Sequence, residues 1–245
     1  MMLWLCLKLN RLSIEVLSPK NKNSIALAII SNEIQAKVVA FNEKAKEIGI
    51  KKGMTLSTLN DLTSEIQIHR REKSKEELML EAIANWSLKF TSQVTICQPD
   101  SLLLEIGGSL KLFRGIDNIV KEVSNYLSRN YLTHDIAVAP TPLGAQYLAN
   151  QGINAVIRNI KSLSETLKKM PISVFDNSNR SISILSKIGI YYFFELEKLP
   201  KESVKRRFGS QIFENFEKAV GRLPDPQEKF IPSKKYSISA NLPFA

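Results

Sequence analysis

The sequence predicts an α+β fold, with a ferredoxin-like β-α-β-β-α-β core followed by a region of short helices. Apolar runs of strand length alternate with two long amphipathic segments, residues 74–91 and 115–131, an order typical of the ferredoxin-like motif. The last third of the chain lacks such runs, and tight connections at Gly189, Pro200 and Gly209 divide it into short helices. This fold supports many functions, so the function must be argued from particular residues.

The predicted elements before the first long helix are short and rich in Leu, Ile, Val and Ala, a composition typical of buried strands. They are strands over residues 3–7, 23–31 and 35–42, a helix over 42–50, a helix after a turn at Gly53, and an extended segment over 65–71.

The first long helix can be capped by Ser74, and Leu78, Ala82, Trp86 and Leu88 supply its predicted apolar face. The elements that follow are strands over 93–99 and 101–107 with a turn at Pro99–Asp100, a helix over 115–131, a strand over 134–140 and a helix over 141–152.

The charge distribution favours a polyanionic partner. The net charge is +10. Residues 1–75 carry 13 basic against 7 acidic side chains and residues 158–245 carry 16 against 9, whereas residues 76–157 carry 5 against 8. Basic surfaces attract nucleic acid because they neutralise phosphates and release counterions. The alternative is that these charges only keep the protein in solution.

Several function classes are excluded by composition. Lys8 and Arg11 interrupt the apolar opening segment too early for a signal peptide or a membrane span, so we expect a cytoplasmic protein. Cys6 and Cys97 lie far apart, and no spacing of cysteines and histidines suits a zinc site or a disulfide framework.

The C-terminal helices have the plan of a helix-hairpin-helix module. The turn at Gly189 would expose backbone N–H groups that bind phosphates without reading bases. Lys187, Lys205, Arg206 and Arg207 are the predicted DNA-binding side chains around it. The alternative is a small helical bundle with a solvated basic face. Weaker candidates for phosphate contacts are Arg70 and Arg71.

Four segments resemble the Y-family DNA polymerases. VVAFNEKAKEIGIKKGMTL resembles the strand that runs into the fingers helix, and SLLLEIGGS resembles the palm strand after the paired acids. IAVAPTPLGAQYLA is similar to a further palm segment, and ILSKIGIYYFFELEKLP with RRFG is similar to the thumb. Within the family, LWLCLKLNRLSIEVL, LKFTSQV and LLLEIGGSLKLFRG most resemble the catalytically inactive ImuB subgroup.

The resemblance implies a division into subdomains. Residues 1–16 and 74–157 would form the palm, 17–73 the fingers and 158–232 a helical thumb. Residues 233–245 would be a linker and the start of a little-finger domain, most of which this chain would lack.

The resemblance also places the three acids that bind two divalent cations in active members of the family. Those positions fall on Cys6, Asp100 and Ser101, so one carboxylate of three is retained. A thiol is a poor ligand for Mg²⁺, and Lys8 adds positive charge nearby. We therefore expect no metal site and no catalytic residue.

The nucleotide-binding side departs from the family as well. The tyrosine and arginine that hold the triphosphate fall on Glu43 and Lys46, and the residue that excludes ribose falls on Arg11. A glutamate repels a polyanion, and a lysine lacks the bidentate fork of arginine. Pro142 and Gln146 stand where the palm helix has lysines. The resemblance thus implies the shape of a polymerase without its chemistry.

The remaining conspicuous residues are predicted to be structural. Cys6 is expected to be an inert core thiol, Asp100 to cap a turn and Glu105 to serve a structural role. Trp86 and the aromatic run over residues 191–194 are predicted to belong to the core. The alternative for Tyr191 is that nucleobases stack on its ring.

Taken together, the resemblance implies a non-enzymatic DNA-binding adaptor that needs no cofactor. It would act in DNA repair by translesion synthesis, as part of SOS-type induced mutagenesis. It would bind primer-template or damaged DNA through phosphates and recruit an error-prone C-family polymerase. A RecA-like ImuA-type protein and the sliding clamp would be further partners, in the cytoplasm at the nucleoid and without a membrane. Two alternatives remain open: an active low-fidelity polymerase that uses Mg²⁺, and a protein-interaction scaffold that does not bind DNA.

Overall fold

The structure, a computed structural model, describes residues 2–17, 25–62, 66–175 and 179–232, with the side chains of residues 179 and 180 excepted. The predicted start of a following domain at residues 233–245 lies outside these ranges. The strands are β1 (Trp4–Leu9), β2 (Ala26–Ile30), β3 (Val38–Phe41), β4 (Ile66–Arg70), β5 (Val94–Cys97), β6 (Ser101–Glu105) and β7 (His134–Ala139).

Eleven α-helices accompany the strands in the described ranges. They are α1 (Leu12–Glu15), α2 (Glu43–Glu47), α3 (Leu56–Leu62), α4 (Lys73–Ser87), α5 (Ile116–Arg129), α6 (Pro142–Asn150), α7 (Ile160–Lys168), α8 (Asn179–Lys187), α9 (Phe193–Leu196), α10 (Lys201–Phe208) and α11 (Gln211–Ala219). The single turn α1 was not predicted, and every predicted strand and long helix is present.

The larger sheet has the strand order β5-β6-β1-β7, with all neighbouring strands antiparallel. The chain leaves the sheet after β1 and re-enters it through α4 at β5, two places away, and α5 connects β6 to β7. Each crossover therefore skips one strand of this sheet, as in the ferredoxin-like fold. The α+β prediction is confirmed. We call this sheet with α4, α5 and α6 the palm.

The two faces of the palm sheet have different coverings. The side chains of Leu5, Leu7 and Leu9, at every second position of β1, pack in the core that the sheet shares with α4 and α5. Trp4 and Cys6 face the opposite way, into a core formed with α6 and the C-terminal helices. The regular alternation of β1 therefore fixes which of its side chains can meet the C-terminal helices.

The buried face of α4 differs from the predicted one. Leu80, Ile83, Ala84 and Ser87 are buried, whereas Leu78 is 65% exposed. The segment is apolar on more than one side, so periodicity alone permits two faces. Packing against the sheet selects the second face. The prediction is therefore wrong for Leu78 and Ala82, whereas Trp86 and Leu88 are partly buried against the core, as predicted.

The smaller sheet has the order β3-β2-β4, with β2 and β4 parallel. Asn42 begins α2 by accepting a hydrogen bond from the Ala45 N–H at 3.0 Å, and the same oxygen accepts from the Leu27 N–H on β2. One buried amide thus caps the helix and attaches it to the sheet. We call this sheet with α2 and α3 the fingers.

The C-terminal helices α7 to α11, which we call the thumb, pack against α6 at a close approach of the backbones. An added Cβ at Gly144 would lie 2.5 Å from Thr141 Oγ1 and 2.8 Å from Leu163 Cδ2. It would also lie 3.0 Å from the Ala219 carbonyl oxygen, to which Thr141 Oγ1 donates a hydrogen bond. Only glycine fits here without moving the thumb from the palm.

We expect Gly144→Ala to lower the free energy of unfolding by about 1–3 kcal/mol, because the new methyl group overpacks this junction. Urea denaturation of the full chain measures the effect. Gly108→Ala is the matched control, since an added Cβ there meets nothing within 4 Å. Equal unfolding midpoints for the two variants would show that the contact between α6 and the thumb rearranges to accommodate the methyl group at little cost in stability.

The segment that follows α11 returns to the palm. The Phe230 N–H donates to the Val94 carbonyl on the outer edge of β5 at 2.7 Å, and the Phe230 ring packs on the palm core. The edge of β5 is thereby covered at this point. Within the described ranges, no helix is long and apolar enough to span a bilayer.

Candidate functional site

The three positions that the resemblance assigns to metal-binding acids lie on or next to two adjacent palm strands: Cys6 is on β1, Ser101 begins β6, and Asp100 immediately precedes β6. In the β1–β6 register, Cys6 is opposite Leu103 and Lys8 is opposite Ser101. This register brings the Lys8 ammonium to Asp100, and it donates a hydrogen bond to Asp100 Oδ1 at 2.5 Å. The retained carboxylate is therefore paired with an internal cation.

The residues at this site do not fit a pair of divalent cations. Cys6 is fully buried, and burial raises the pKa of its thiol well above the ordinary value, so the thiol stays protonated. Ser101 contributes a hydroxyl, which lies 3.3 Å from Asp100 Oδ1. Among the residues that the structure describes, no group of three or more His, Cys, Asp or Glu side chains could hold a metal ion.

The two acids in this region have different structural roles. The prediction that Asp100 caps a turn is wrong, because its carboxylate bonds to the side chains of Lys8 and Ser101. Glu105 Oε1 accepts hydrogen bonds from the Leu3 N–H at 3.2 Å and the Gly107 N–H at 3.0 Å. Glu105 thus fastens the end of β6 to the start of β1, in agreement with its predicted structural role.

The positions assigned to the nucleotide are also paired with each other. Arg11 Nη2 donates to Glu43 Oε1, and Lys46 Nζ lies 3.7 Å from Glu43 Oε2. Arg11 follows β1 in the palm, whereas Glu43 begins α2 in the fingers. An ion pair therefore joins palm and fingers at the place where the resemblance puts the triphosphate.

Arg71, a predicted DNA contact, is already bound within the chain. Its guanidinium donates to Glu76 through Nε–Oε1 at 2.9 Å and Nη2–Oε2 at 2.6 Å, and Glu76 is buried. A bidentate pair with a buried carboxylate is costly to break. The pair with Glu76 gives Arg71 a structural role, so its assignment to phosphate contacts stays a prediction with less support. Arg70 is exposed on β4 and also stays a prediction.

The turn at Gly189 does not present free N–H groups. Gly189 has φ +80°, and its N–H donates to the Ser186 carbonyl. The N–H groups of Tyr191 and Tyr192 donate to Glu195 Oε2 at 2.8 Å and 3.0 Å. These bonds hold the pKa of Glu195 below its ordinary value. The expectation that this backbone binds phosphates is wrong, and Gly189 provides only the turn.

The thumb cations remain the candidate DNA surface. Lys205, Arg206 and Arg207 form the last turn of α10, a favourable place for cations because carbonyl groups point outward there. Lys205 lies 3.3 Å from Glu202, whereas Arg206 and Arg207 are exposed and pair with no acid of the described ranges. Lys187 is exposed at the end of α8.

One polar pair was missed by the sequence analysis. Ser124 Oγ on α5 lies 2.9 Å from His134 Nε2, and His134 Nδ1 lies 2.9 Å from the Leu132 carbonyl. A carbonyl only accepts, so Nδ1 carries the proton and Nε2 accepts from the serine. The pair borders a cleft of about 330 Å³. The spacing of Ser124 and His134 in the sequence does not predict this contact, because the packing of α5 on β7 brings the two side chains together.

Comparison with known proteins agrees with the resemblance. Residues 13–150 match the impB/mucB/samB family. The protein ImuB of Caulobacter vibrioides is 23% identical over 150 residues, which are 61% of this chain and 33% of that protein. The chain thus spans about a third of the length of the curated relatives it matches.

Solved structures share the fold. DinB from Sulfolobus solfataricus superposes with a TM-score of 0.74 and 17% identity, over 93% of this chain and 70% of that one. A structure titled as an insertion ternary complex of Dbh DNA polymerase superposes with a TM-score of 0.72 and 17% identity, over the same shares. These superpositions show that the chain shares the fold of the two polymerase structures. The family match over residues 13–150, more than half of the sequence, shows that the chain belongs to the impB/mucB/samB family.

Proposed function

We propose that this chain is a non-catalytic, polymerase-shaped DNA-binding module that acts in the tolerance of DNA damage. The observation that carries the proposal is the ion pair between Lys8 and Asp100, at the place where polymerases of this fold hold two metal ions. The pair between Arg11 and Glu43 supports it on the nucleotide side.

The electrostatics of the palm argue against two-metal chemistry. Phosphoryl transfer to a primer requires divalent ions that bridge the attacking hydroxyl and the triphosphate. An ion near Asp100 would meet the Lys8 ammonium. At about 4 Å and an effective dielectric constant of about 20, this repulsion is roughly 8 kcal/mol before screening. The attraction of the ion to Asp100 is of about the same size, so the Lys8–Asp100 pair offers a divalent ion almost no net electrostatic gain to offset the loss of its hydration shell.

Binding to DNA is supported by the charge of the thumb. Residues 158–232 carry 14 basic against 9 acidic side chains, and the last turn of α10 concentrates three of the cations. Contacts of this kind are made to phosphates and carry little base specificity. An adaptor that presents primer-template DNA to a separate error-prone polymerase needs this property. That polymerase, a RecA-like protein and the clamp belong to the proposal as partners.

The experiment compares binding with catalysis on one substrate. The full chain is titrated into a fluorescent primer-template in EDTA and in Mg²⁺, and the same mixture then receives deoxynucleotides with Mg²⁺ or Mn²⁺. We expect equal affinity in EDTA and Mg²⁺ at matched ionic strength, affinity that falls steeply with salt, and no extended primer.

Two results would contradict the proposal. Primer extension that is lost in Asp100→Ala would identify an active low-fidelity polymerase. Absence of DNA binding even at about 20 mM salt, where electrostatic attraction is least screened, would instead favour a protein-interaction scaffold.

A further inference from the structure

The aromatic run of the thumb is more exposed than a core segment should be. The prediction that residues 191–194 are core holds only for Phe193, which stacks on Phe216 with ring centroids 3.8 Å apart. Tyr191, Tyr192 and Phe194 are 55%, 42% and 40% exposed. Consecutive residues around the start of a helix point in different directions, so only one of the four rings can enter the thumb core.

The exposed rings form an ordered surface. The rings of Tyr192 and Phe194 are nearly parallel, with an interplanar angle of 18° and centroids 5.9 Å apart. Tyr191 and Tyr192 also line an apolar cleft of about 360 Å³ between residues 171–173 and α8. The two N–H bonds to Glu195 fix the backbone that carries both tyrosines. We call Tyr191, Tyr192 and Phe194 the aromatic face.

Lysine side chains lie near the aromatic face, so this surface combines positive charge with exposed rings. Such a surface favours an anionic ligand that has planar rings of its own. The Lys198 ammonium lies 5.4 Å from the centroid of the Phe194 ring. Lys187 is exposed four residues before Tyr191. The acid nearest in sequence, Glu195, already accepts two backbone hydrogen bonds. Aromatic side chains with neighbouring cations are the usual platform for single-stranded nucleic acid, because every base has a π-face.

We propose that the aromatic face stacks unpaired nucleobases of single-stranded DNA, while Lys187 and Lys198 meet the adjoining phosphates. The inference rests on the proposed DNA-binding function and specifies its substrate. In a duplex the faces of the bases are covered by their neighbours, whereas single-stranded or unpaired bases offer theirs. This thumb therefore selects unpaired template in addition to binding phosphates.

The test separates bases from phosphates. The full chain is titrated into a fluorescent 15-nucleotide oligo-dT and into an oligomer of equal length and charge that has abasic sites throughout. We expect the wild type to bind oligo-dT at least about 10-fold more tightly, since each stacked base contributes roughly 1–3 kcal/mol. We expect the double variant Tyr191→Leu with Tyr192→Leu to lose this preference and to keep its affinity for the abasic oligomer.

Tyr131→Leu is the matched control, because Tyr131 is 50% exposed on the palm, outside the aromatic face, and should leave the preference intact. Phe194→Leu gives an independent variant, expected to reduce the preference. Equal wild-type affinity for the two oligomers would overturn this inference alone and leave phosphate binding in place. A preference that survives in both aromatic variants would also overturn it, and would favour a protein ligand for the aromatic face. Failure to bind either oligomer would overturn the inference as well, whereas the proposed function itself is contradicted only if the primer-template of the first experiment is not bound either.

Discussion

Replacing Lys205, Arg206 and Arg207 together with glutamate is expected to weaken binding to a primer-template on the order of 100-fold at about 100 mM salt. Each of these cations neutralises about one phosphate in the proposed complex and releases its counterions. The slope of log affinity against log salt concentration should therefore become shallower by about 3. Fluorescence anisotropy over a series of salt concentrations measures both quantities.

The matched control reverses three cations on the opposite side of the palm. Lys111, Lys121 and Arg129 are exposed on and just before α5, and the thumb covers the other face of the sheet. Their replacement by glutamate changes the net charge by the same amount. If the thumb cations contact DNA directly, the control variant should lose only a little of its affinity for the primer-template. Equal losses would show that only net charge matters and would remove α10 from the interface.

The substitution Cys6→Asp is expected to lower the free energy of unfolding by about 3–5 kcal/mol at neutral pH, because it fully buries a carboxylate and the nearby Lys8 ammonium is already paired with Asp100. Cys6 is fully buried and lies in the core beside Leu103 and Ala137. For a chain of this size the loss corresponds to a fall in Tm of about 10 °C. The resemblance puts an acid at this position in active members of the family. We nevertheless expect an acid here to destabilise this chain.

The pH dependence distinguishes a buried charge from a packing defect. Burial raises the pKa of the introduced carboxyl in the folded state above its unfolded value, near 4. The penalty is therefore greatest above the folded pKa, and it shrinks as the pH falls through that pKa toward 4. Cys6→Ser, which introduces no ionisable group, should show no such change relative to wild type. A constant penalty for Cys6→Asp would mean that the carboxylate finds water or a cation.

The variant Cys6→Asp can be extended to rebuild the three-carboxylate metal site that the resemblance assigns to active members of the family. Adding Ser101→Glu and Lys8→Ala to Cys6→Asp supplies three carboxylates around the former position of the ammonium. We expect Mn²⁺ to raise the Tm of this triple variant, because a ligand that binds only the folded state stabilises it. The wild type should show no shift. An equal shift in the wild type would argue against the blocking role of Lys8.

Much of the fold could be predicted from local pattern, and the failures have a common cause. The lengths of the apolar runs, and their order relative to the two long amphipathic segments, identified the palm strands. Helix α4 has apolar residues on several sides, so its buried face could not be chosen without the sheet. Likewise, four consecutive aromatic residues at 191–194 cannot be sorted into buried and exposed before the axis of α9 is known.

Sequence alone determined which chemical groups this protein has: a thiol and a hydroxyl at Cys6 and Ser101, one carboxylate at Asp100, and basic ends. Only the tertiary structure decided what those groups meet. Lys8 reaches Asp100 across 92 residues and Arg11 reaches Glu43 across 32. The physical reason is that strand register and the docking of the fingers on the palm are set by burial of the whole core, whereas periodicity describes one element at a time.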